Sequence, residues 1–342
     1  MQLGCNSWRD RNVLVTGAGG FIGSGLAEEL VRRGANVVGI LRDSRGLRLL
    51  RERGIAEEVD VVGGSITDSG LVERTLNEYE IDTIFHLAAQ TLVTVANSGP
   101  SSTFESNIRG TWVLLEAVRG NPSVQRVVCA SSDKAYGHQP VLPYTEDTPL
   151  QGVYPYDASK VCSEVLVRSY CESFRTPVAV VRAANIYGPG DLNWNRLVPG
   201  TIRSLLRGEV PLIRSDGTLE RDYLYLDDVV SGYLAVADHL PQVSGQAFNL
   251  GTQNPVSVLA MVEAIIEAVD GPRIEPKVLG IASNEIDRQS LAFAKAFEML
   301  GWTPSTDLAQ GLRRTVPWYA RYLASQAGAT FSVAALKEEV HA

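Results

Sequence analysis

From Asn12 onward, short apolar runs alternate with longer stretches in which apolar residues recur every three or four positions. Val13-Leu14-Val15 predicts a strand, and Ser24 to Arg33, with Leu26 and Leu30 on one side, predicts a helix. Strands are expected at Asn36–Leu41, Val59–Val62 and Thr83–Phe85, with a helix at Leu71–Tyr79. A long helix over Thr103–Arg119, a strand over Arg126–Ala130, a helix over Tyr156–Phe174 and a strand over Val178–Val181 continue the series. The strands read as unbroken apolar segments, which predicts burial on both faces. Strand and helix in strict succession predict an α/β fold, a Rossmann-like doubly wound parallel sheet.

Beyond Asn185 the order loosens, punctuated by Pro189, Gly190, Pro199, Gly208, Pro211 and Gly217, until Val256–Val269 predicts an amphipathic helix. The expected organisation is a dinucleotide-binding domain over 1–184, with 226–249 returning to it. Segments 185–225 and 250–325 form a smaller, interleaved α/β substrate lobe, and 326–342 a peripheral tail.

Composition narrows the partners. The chain has 342 residues, 45% hydrophobic and 20% charged, with a net charge of −8. No basic face stands out, so a nucleic-acid partner is not expected. The first residues lack the apolar core of a signal peptide, and no apolar run approaches the roughly 18 residues that span a bilayer. A cytoplasmic protein is expected. Cys5, Cys129, Cys162 and Cys171 match no zinc or redox spacing and read as reduced packing residues, and no metal site is expected.

Candidate chemistry begins with Thr16-Gly17-Ala18-Gly19-Gly20-Phe21-Ile22-Gly23, between the first strand and the first helix. Gly17 would permit a tight turn, Gly20 the approach of a pyrophosphate to the backbone, and Gly23 close packing of helix on sheet. The amides of Phe21, Ile22 and Gly23 would then face the phosphates. At the end of the second strand, Leu41 takes the place where an acidic residue would bind ribose hydroxyls, followed by Arg42 and Asp43. The cofactor reads as NAD or NADP, and Arg42, which could grip a 2′-phosphate, tips it toward NADP.

Tyr156 and Lys160 are one helical turn apart on one face. An ammonium beside a phenol stabilises the phenolate, so Tyr156 could take a proton from a sugar hydroxyl. Taken alone, the pair is an ordinary aromatic and charge on a helix; the upstream serine and glycine turn outweigh that reading.

Further stretches complete a pattern. They are His86-Leu87-Ala88-Ala89-Gln90, Asn107-x-x-Gly110-Thr111, Ser131-Ser132-Asp133-Lys134-Ala135-Tyr136-Gly137, Arg182-x-x-Asn185-x-Tyr187-Gly188-Pro189-Gly190, Arg221-Asp222-Tyr223 and Leu300-Gly301-Trp302-x-Pro304. In order and over nearly the whole chain, these resemble the extended short-chain dehydrogenase/reductase family, in its group of nucleotide-sugar epimerases and dehydratases. The resemblance implies that Ser132 bonds the sugar C4 hydroxyl, that Tyr156 is the base, and that Lys160 tunes it and holds the nicotinamide ribose. It implies cofactor contacts from Ser65, Ile66, Leu87, Ala88, Ala89, Gln90 and Asn107, besides the glycine turn, Arg42 and Asp43. Substrate contacts are implied for Gln90, Asn185, Arg196, Arg221 and Glu285, with Asn185 and Arg221 at the diphosphate, where a guanidinium suits phosphate. The plainer reading of Arg221-Asp222 is a surface ion pair. A homodimer through the Thr103–Arg119 and Tyr156–Phe174 helices is implied as well.

Ser132-Asp133-Lys134 resembles the CDP-glucose 4,6-dehydratases, as do Gln90 and the segment from Glu285-Ile286 to Lys295-Ala296. In that chemistry C4 is oxidised, the C5 proton is removed and the C6 hydroxyl leaves. Asp133 is then the acid, kept protonated by burial, and Lys134 the C5 base, kept neutral by desolvation and the Lys160 charge. The plainer reading is a solvated Asp-Lys loop pair. Ser65 stands where the family often has an acid near adenine, and Ala292 replaces an acid usual before Lys295. CDP, dTDP, GDP and UDP sugars all remain open. A 4-epimerase is the alternative within enzymes, and a non-catalytic dinucleotide sensor or scaffold the alternative outside them.

Overall fold

In the computed structural model, which describes residues 7–281 and 286–327, the chain divides into two units. The first comprises residues up to 186 together with 220–255 and 286–305; the second comprises 187–219, 256–285 and the residues from 306 onward. Segments 220–225, 250–255 and 286–305, read from sequence as part of the smaller lobe, thus belong to the first unit.

In the first unit the elements run β1 (Asn12–Thr16), α1 (Phe21–Arg32), β2 (Asn36–Leu41), α2 (Leu47–Glu52), β3 (Val59–Gly63), α3 (Ser69–Glu78) and β4 (Thr83–His86). They continue with α4 (Val93–Ser98), α5 (Pro100–Phe104), α6 (Gly110–Arg119), β5 (Arg126–Ala130), α7 (Pro155–Phe174) and β6 (Val178–Ala183). A seven-stranded sheet has the order β3-β2-β1-β4-β5-β6, extended by Ala247–Leu250 beside β6. Every neighbouring pair is parallel. The strand order reverses between β1 and β4, and the crevice at the carboxyl ends of these strands is where such sheets bind ligands.

Central strands are apolar on both sides and fully covered: Val13, Leu14, Val15, Ile84, Phe85, Val127 and Val128 are buried. β3 departs from the expected burial, because it forms the sheet edge and leaves Asp60 and Val61 exposed. The expected single helix over 103–119 also differs. It is α5 and α6 joined through a π-helical turn, Glu105–Arg109. Such turns loosen the hydrogen-bond ladder and recur at functional sites.

A buried ion pair crosses the far half of the sheet. Arg182 on β6 donates to both oxygens of Glu164 on α7, from Nε at 3.0 and 3.1 Å and from Nη2 at 2.6 Å. Burial alone would lower the guanidinium; its hydrogen bonds to Glu164 more than reverse this and hold it above its ordinary value. Arg182 Nη1 also donates to Tyr136 Oη (2.7 Å), which donates to Asn249 Oδ1 (2.7 Å) on the last strand. Ser131, directly after β5, donates to the same Glu164.

In the second unit, the helices Leu197–Leu206, Val258–Ala268 and Leu308–Ala327 pack on one another. Leu212–Ile213 pairs in parallel with Lys277–Val278. Trp194, Tyr319 and Tyr322 form an aromatic cluster with Trp318, which stacks on Tyr322 at 5.0 Å. The expected tail lies mostly outside the described residues. Among the described residues no helix is long and apolar enough to cross a membrane.

Removing one partner of a buried ion pair strands the other charge. Arg182→Ala should therefore destabilise the protein by about 3–5 kcal/mol, measured by denaturant unfolding. A loss below about 1 kcal/mol would show that solvent reaches Glu164.

Candidate functional site

The glycine turn leads from β1 to α1. Gly17 has φ +75°, and a Cβ there would lie 3.0 Å from the Ala88 amide nitrogen. A Cβ on Gly23 would lie 2.1 Å from the Gly17 carbonyl oxygen. Gly23 is therefore needed for packing the helix on its own preceding turn, not on the sheet as expected. α1 opens on Gly20, which has no side chain to cap it, so the first amides of the helix are free of a cap.

Across the crevice, Thr16 Oγ1 at the end of β1 accepts from the amides of Leu87 and Ala88, both at 3.1 Å. With its acceptor capacity used, its hydrogen goes to His86 Nδ1, 2.9 Å away. Burial, and secondly the Lys160 charge, push His86 down to about 3, so the ring is neutral. Its remaining proton sits on Nε2 and faces Thr111 Oγ1 at 3.2 Å, and Thr111 donates to the Asn107 carbonyl at 2.6 Å. Asn107, in the π turn, clasps the backbone of Gln90. Its Oδ1 accepts from Gln90 N at 2.7 Å and its Nδ2 donates to Gln90 O at 3.2 Å. The same Nδ2 donates to Ser159 Oγ (2.9 Å), which donates to the Tyr156 carbonyl (2.6 Å). One hydrogen-bonded chain thus joins β1, β4, the π turn and the start of α7.

Tyr156 and Lys160 are both buried near the start of α7, with the ammonium 5.9 Å from the phenol ring centre. Lys160 Nζ donates to the carbonyl of Ala130, the last residue of β5, at 2.8 Å. Burial lowers Lys160 to about 8. Ser132, two residues beyond that strand, caps a short 3₁₀ turn over Asp133–Tyr136: its Oγ accepts from Lys134 N (3.2 Å) and donates to Asp133 Oδ1 (2.9 Å).

Asp133 and Lys134 are not a solvated loop pair. Asp133 is 3% exposed, and its Oδ2 is buried without a hydrogen-bond partner among the described residues. Lys134 Nζ donates to Oε1 of the buried Gln289. Asp157, next to Tyr156, is raised to about 6 by burial, with Lys134 opposing the shift and Asp133 adding to it. Gly152 closes this corner: a Cβ there would meet the Asp157 Cβ at 2.7 Å and the Lys134 carbonyl at 2.9 Å.

Arg221 and Asp222 are both buried and do not form a surface ion pair. Arg221 Nη1 donates to the carbonyls of Glu220 (2.9 Å) and Asp287 (3.3 Å). Asp222 instead organises backbone, accepting from the amides of Thr252, Gln253 and Leu291 at 2.9–3.1 Å. Asn185 Nδ2 is buried without a partner among the described residues, as a side chain awaiting an acceptor would be. Arg196 belongs to the second unit, where it donates to Asp191 at 3.1 Å. Glu285 lies outside the described residues.

The model of the NAD dependent epimerase/dehydratase family matches residues 13–251. The chain belongs to that family. It is 35% identical over 316 residues to a UDP-glucose 4-epimerase of Mycolicibacterium smegmatis, covering 90% of this chain and 97% of the relative. It superposes with a TM-score of 0.80 on a UDP-glucose 4-epimerase from Thermotoga maritima solved with UDP-glucose, at 29% identity over 91% of this chain and 99% of the other. With DesIV, a dTDP-glucose 4,6-dehydratase from Streptomyces venezuelae solved with NAD bound, the TM-score is 0.82, at 27% identity over 92% and 98% of the two chains.

The chain's own residues fit the cofactor of this family. The Gly17–Gly23 turn presents uncapped amides that would suit a pyrophosphate, and Lys160 Nζ, which gives one hydrogen to the Ala130 carbonyl, would have donors left for a ribose hydroxyl. The preference for NADP is not supported. The family is NAD-dependent, and Arg42, strongly exposed, has Asp43 beside it at 3.9 Å. Asp43 itself caps the following turn and binds Arg45 Nη2 at 2.9 Å. Ser65 Oγ is paired locally with Thr67 Oγ1 at 2.8 Å, while Ile66 is buried. Cys129, Cys162 and Cys171 are free, and burial pushes the Cys129 thiol up to about 12. Among the described residues no cluster suits a metal ion.

Two measurements test this geometry. Gly23→Ala should force the turn apart and weaken NAD binding by about 1–3 kcal/mol in calorimetric titration; unchanged affinity would mean that the turn does not hold the cofactor. The second concerns Lys160. Below about 8 it is charged in folded and unfolded chains alike, so the fold carries the full desolvation cost. Between about 8 and the ordinary 10.5, the unfolded chain keeps a proton that the folded one has shed, so stability rises with pH. Wild type should gain stability relative to Lys160→Met across that window; a flat difference would place the ammonium in water.

Proposed function

We propose that this enzyme is a nucleotide-diphosphate-sugar 4,6-dehydratase, converting an NDP-hexose to an NDP-4-keto-6-deoxyhexose. The observation that carries the reading is the turn after β5, where the buried Asp133 and the anchored Lys134 directly follow Ser132. NAD held at the glycine turn and Lys160 would supply a hydride acceptor for C4 and a hydride donor for C6. Tyr156 removes the proton of the C4 hydroxyl, with the Lys160 charge stabilising the phenolate. The resulting C4 ketone acidifies the C5 proton, which Lys134 takes. Asp133 gives a proton to the C6 hydroxyl, which leaves as water. Lys134 returns its proton to C5 as C6 becomes a methyl group, Tyr156 sheds its proton to solvent and Asp133 takes one up, and the balance is the loss of one water. Asn185 and Arg221 hold the diphosphate, the former through its buried amide, which has no partner among the described residues.

A 4-epimerase is the second reading, favoured by the 35% identity to the mycobacterial enzyme. Both reactions begin with C4 oxidation and part at the ketone. Mass spectrometry after incubation with CDP-, dTDP-, GDP- and UDP-hexoses separates them. A product lighter by one water establishes dehydration and names the nucleotide, whereas an isomer of unchanged mass establishes epimerisation and removes the roles of Asp133 and Lys134. Under either reading, Tyr156→Phe should lower kcat by about 10²–10⁴-fold.

We also propose a homodimer through α6 and α7. The two helices lie side by side, joined by Tyr170 Oη and Glu116 Oε2 at 3.0 Å, and they expose Trp112 (41%) and Val165 (54%). Sedimentation should give a dimer for wild type and a monomer for Trp112→Glu.

A further inference from the structure

We infer that Gln289 is the positioning residue for Lys134, holding its amino group in place through a neutral acceptor. The inference rests on the dehydratase reading. Gln289 is completely buried, and its Oε1 accepts from Lys134 Nζ across 155 positions of sequence. Its backbone is clamped on both sides. Gln289 N donates to the Glu220 carbonyl at 3.1 Å, the next carbonyl, Ser290, accepts from Tyr144 N at 2.8 Å, and Leu291 N binds Asp222 at 3.1 Å. The acceptor therefore sits on a rigid segment, as precise placement requires.

The chemistry explains why an amide serves here. A base that takes a carbon-bound proton needs an acceptor that binds one N–H in both of its states and leaves the lone pair free for the substrate. A carbonyl oxygen does this without a formal charge. A carboxylate would pair with the ammonium and hold the proton on it. The adjacent acids, Asp133 and Asp157, lie on the 3₁₀ turn and on α7, and Gln289 approaches from a third segment. Gln289 Nε2 is buried and has no partner among the described residues, so the side chain is not kept there by a second bond of its own. An alkyl side chain of similar volume would fill the same space at less cost; the amide's bond to Lys134 is what distinguishes it.

The test uses the full-length enzyme and whichever of CDP-, dTDP-, GDP- or UDP-glucose and -mannose the wild type turns over. Wild type, Gln289→Leu, Gln289→Glu and Lys134→Ala are compared for the rise of reduced-nicotinamide absorbance on mixing, for exchange of the C5 hydrogen with deuterated solvent, and for product. In both Gln289 variants the absorbance rise should persist and KM should stay unchanged, while C5 exchange and kcat fall by about 10²-fold. The Glu variant, matched in size, carries the test if the Leu variant does not fold. If Lys134→Ala stops C5 exchange while both Gln289 variants exchange at the wild-type rate, the inference is wrong and the dehydratase reading stands. Loss of the absorbance rise along with exchange would assign Gln289 a merely structural role and also overturn it. Full turnover by Lys134→Ala, or an isomeric product from wild type, would remove the dehydratase reading and the inference with it.

Discussion

The site depends on one buried carboxylate. Glu164 lies inside the first unit, and taking it out of water is costly unless every lone pair is met. Arg182 meets both oxygens and Ser131 adds a third donor. Each partner comes from a different place: Glu164 from the helix that carries Tyr156 and Lys160, Arg182 from β6, and Ser131 from the residue before Ser132. The requirement that this charge be paired therefore sets the end of β5 against α7. The remaining donors of Arg182 extend the constraint to Tyr136 and the Glu146 carbonyl, and Tyr136 passes it to Asn249. A well-packed apolar substitute could be as stable, but it would not fix these segments in one relative position. Orientation is what such a network contributes here.

A second constraint works at the crevice between β1 and β4. His86 must be neutral to receive from Thr16 and give to Thr111, and burial together with the nearby Lys160 keeps it so. Lys160 then remains the fixed cation beside Tyr156. Its cost of burial is eased by the Ala130 carbonyl, the same strand end that leads to Ser132. Lys160, beside the Tyr156 ring, thus also ties the start of the helix to the end of the strand.

The glycine turn lies within a single strand–turn–helix, where spacing marks it. The Tyr156–Lys160 pair lies within one helical turn and stands out only beside the glycine turn and Ser132. Strand limits were also close, because apolar runs in a parallel sheet end where the sheet ends. What escaped has physical reasons. Glu105–Arg109 holds no glycine or proline, so nothing in the sequence marked a π turn. β3 resembles a central strand in composition, and only its place in the sheet makes it an edge. The helix Leu308–Ala327 contains Gly311 and Pro317, which break its pattern, and packing with its neighbours overrides their cost. Gln289 and the Glu164–Arg182 pair unite residues far apart in sequence, where no spacing rule applies. Asp157 could have been noticed beside Tyr156, but an acid in the first turn of a helix is ordinary.

Dehydratases and epimerases share this scaffold because oxidation at C4 asks the same things of both: a hydride acceptor, a phenol and a nearby cation. Those groups hang on α7 and the glycine turn, which the Glu164 and His86 networks hold in place. In the proposed reaction, the fate of the ketone is set elsewhere, on the short 3₁₀ turn after β5. An epimerase needs room there for the sugar to rotate, and small or apolar residues provide it. Elimination needs the opposite, a sugar held still with an acid and a base on it. At that position Asp133 is buried, and the half-buried Lys134 donates to Gln289 from a distant segment, an arrangement that suits the proposed elimination. Burying Asp133, one of whose oxygens has no partner among the described residues, carries a stability cost that rotating a ketone alone would not require.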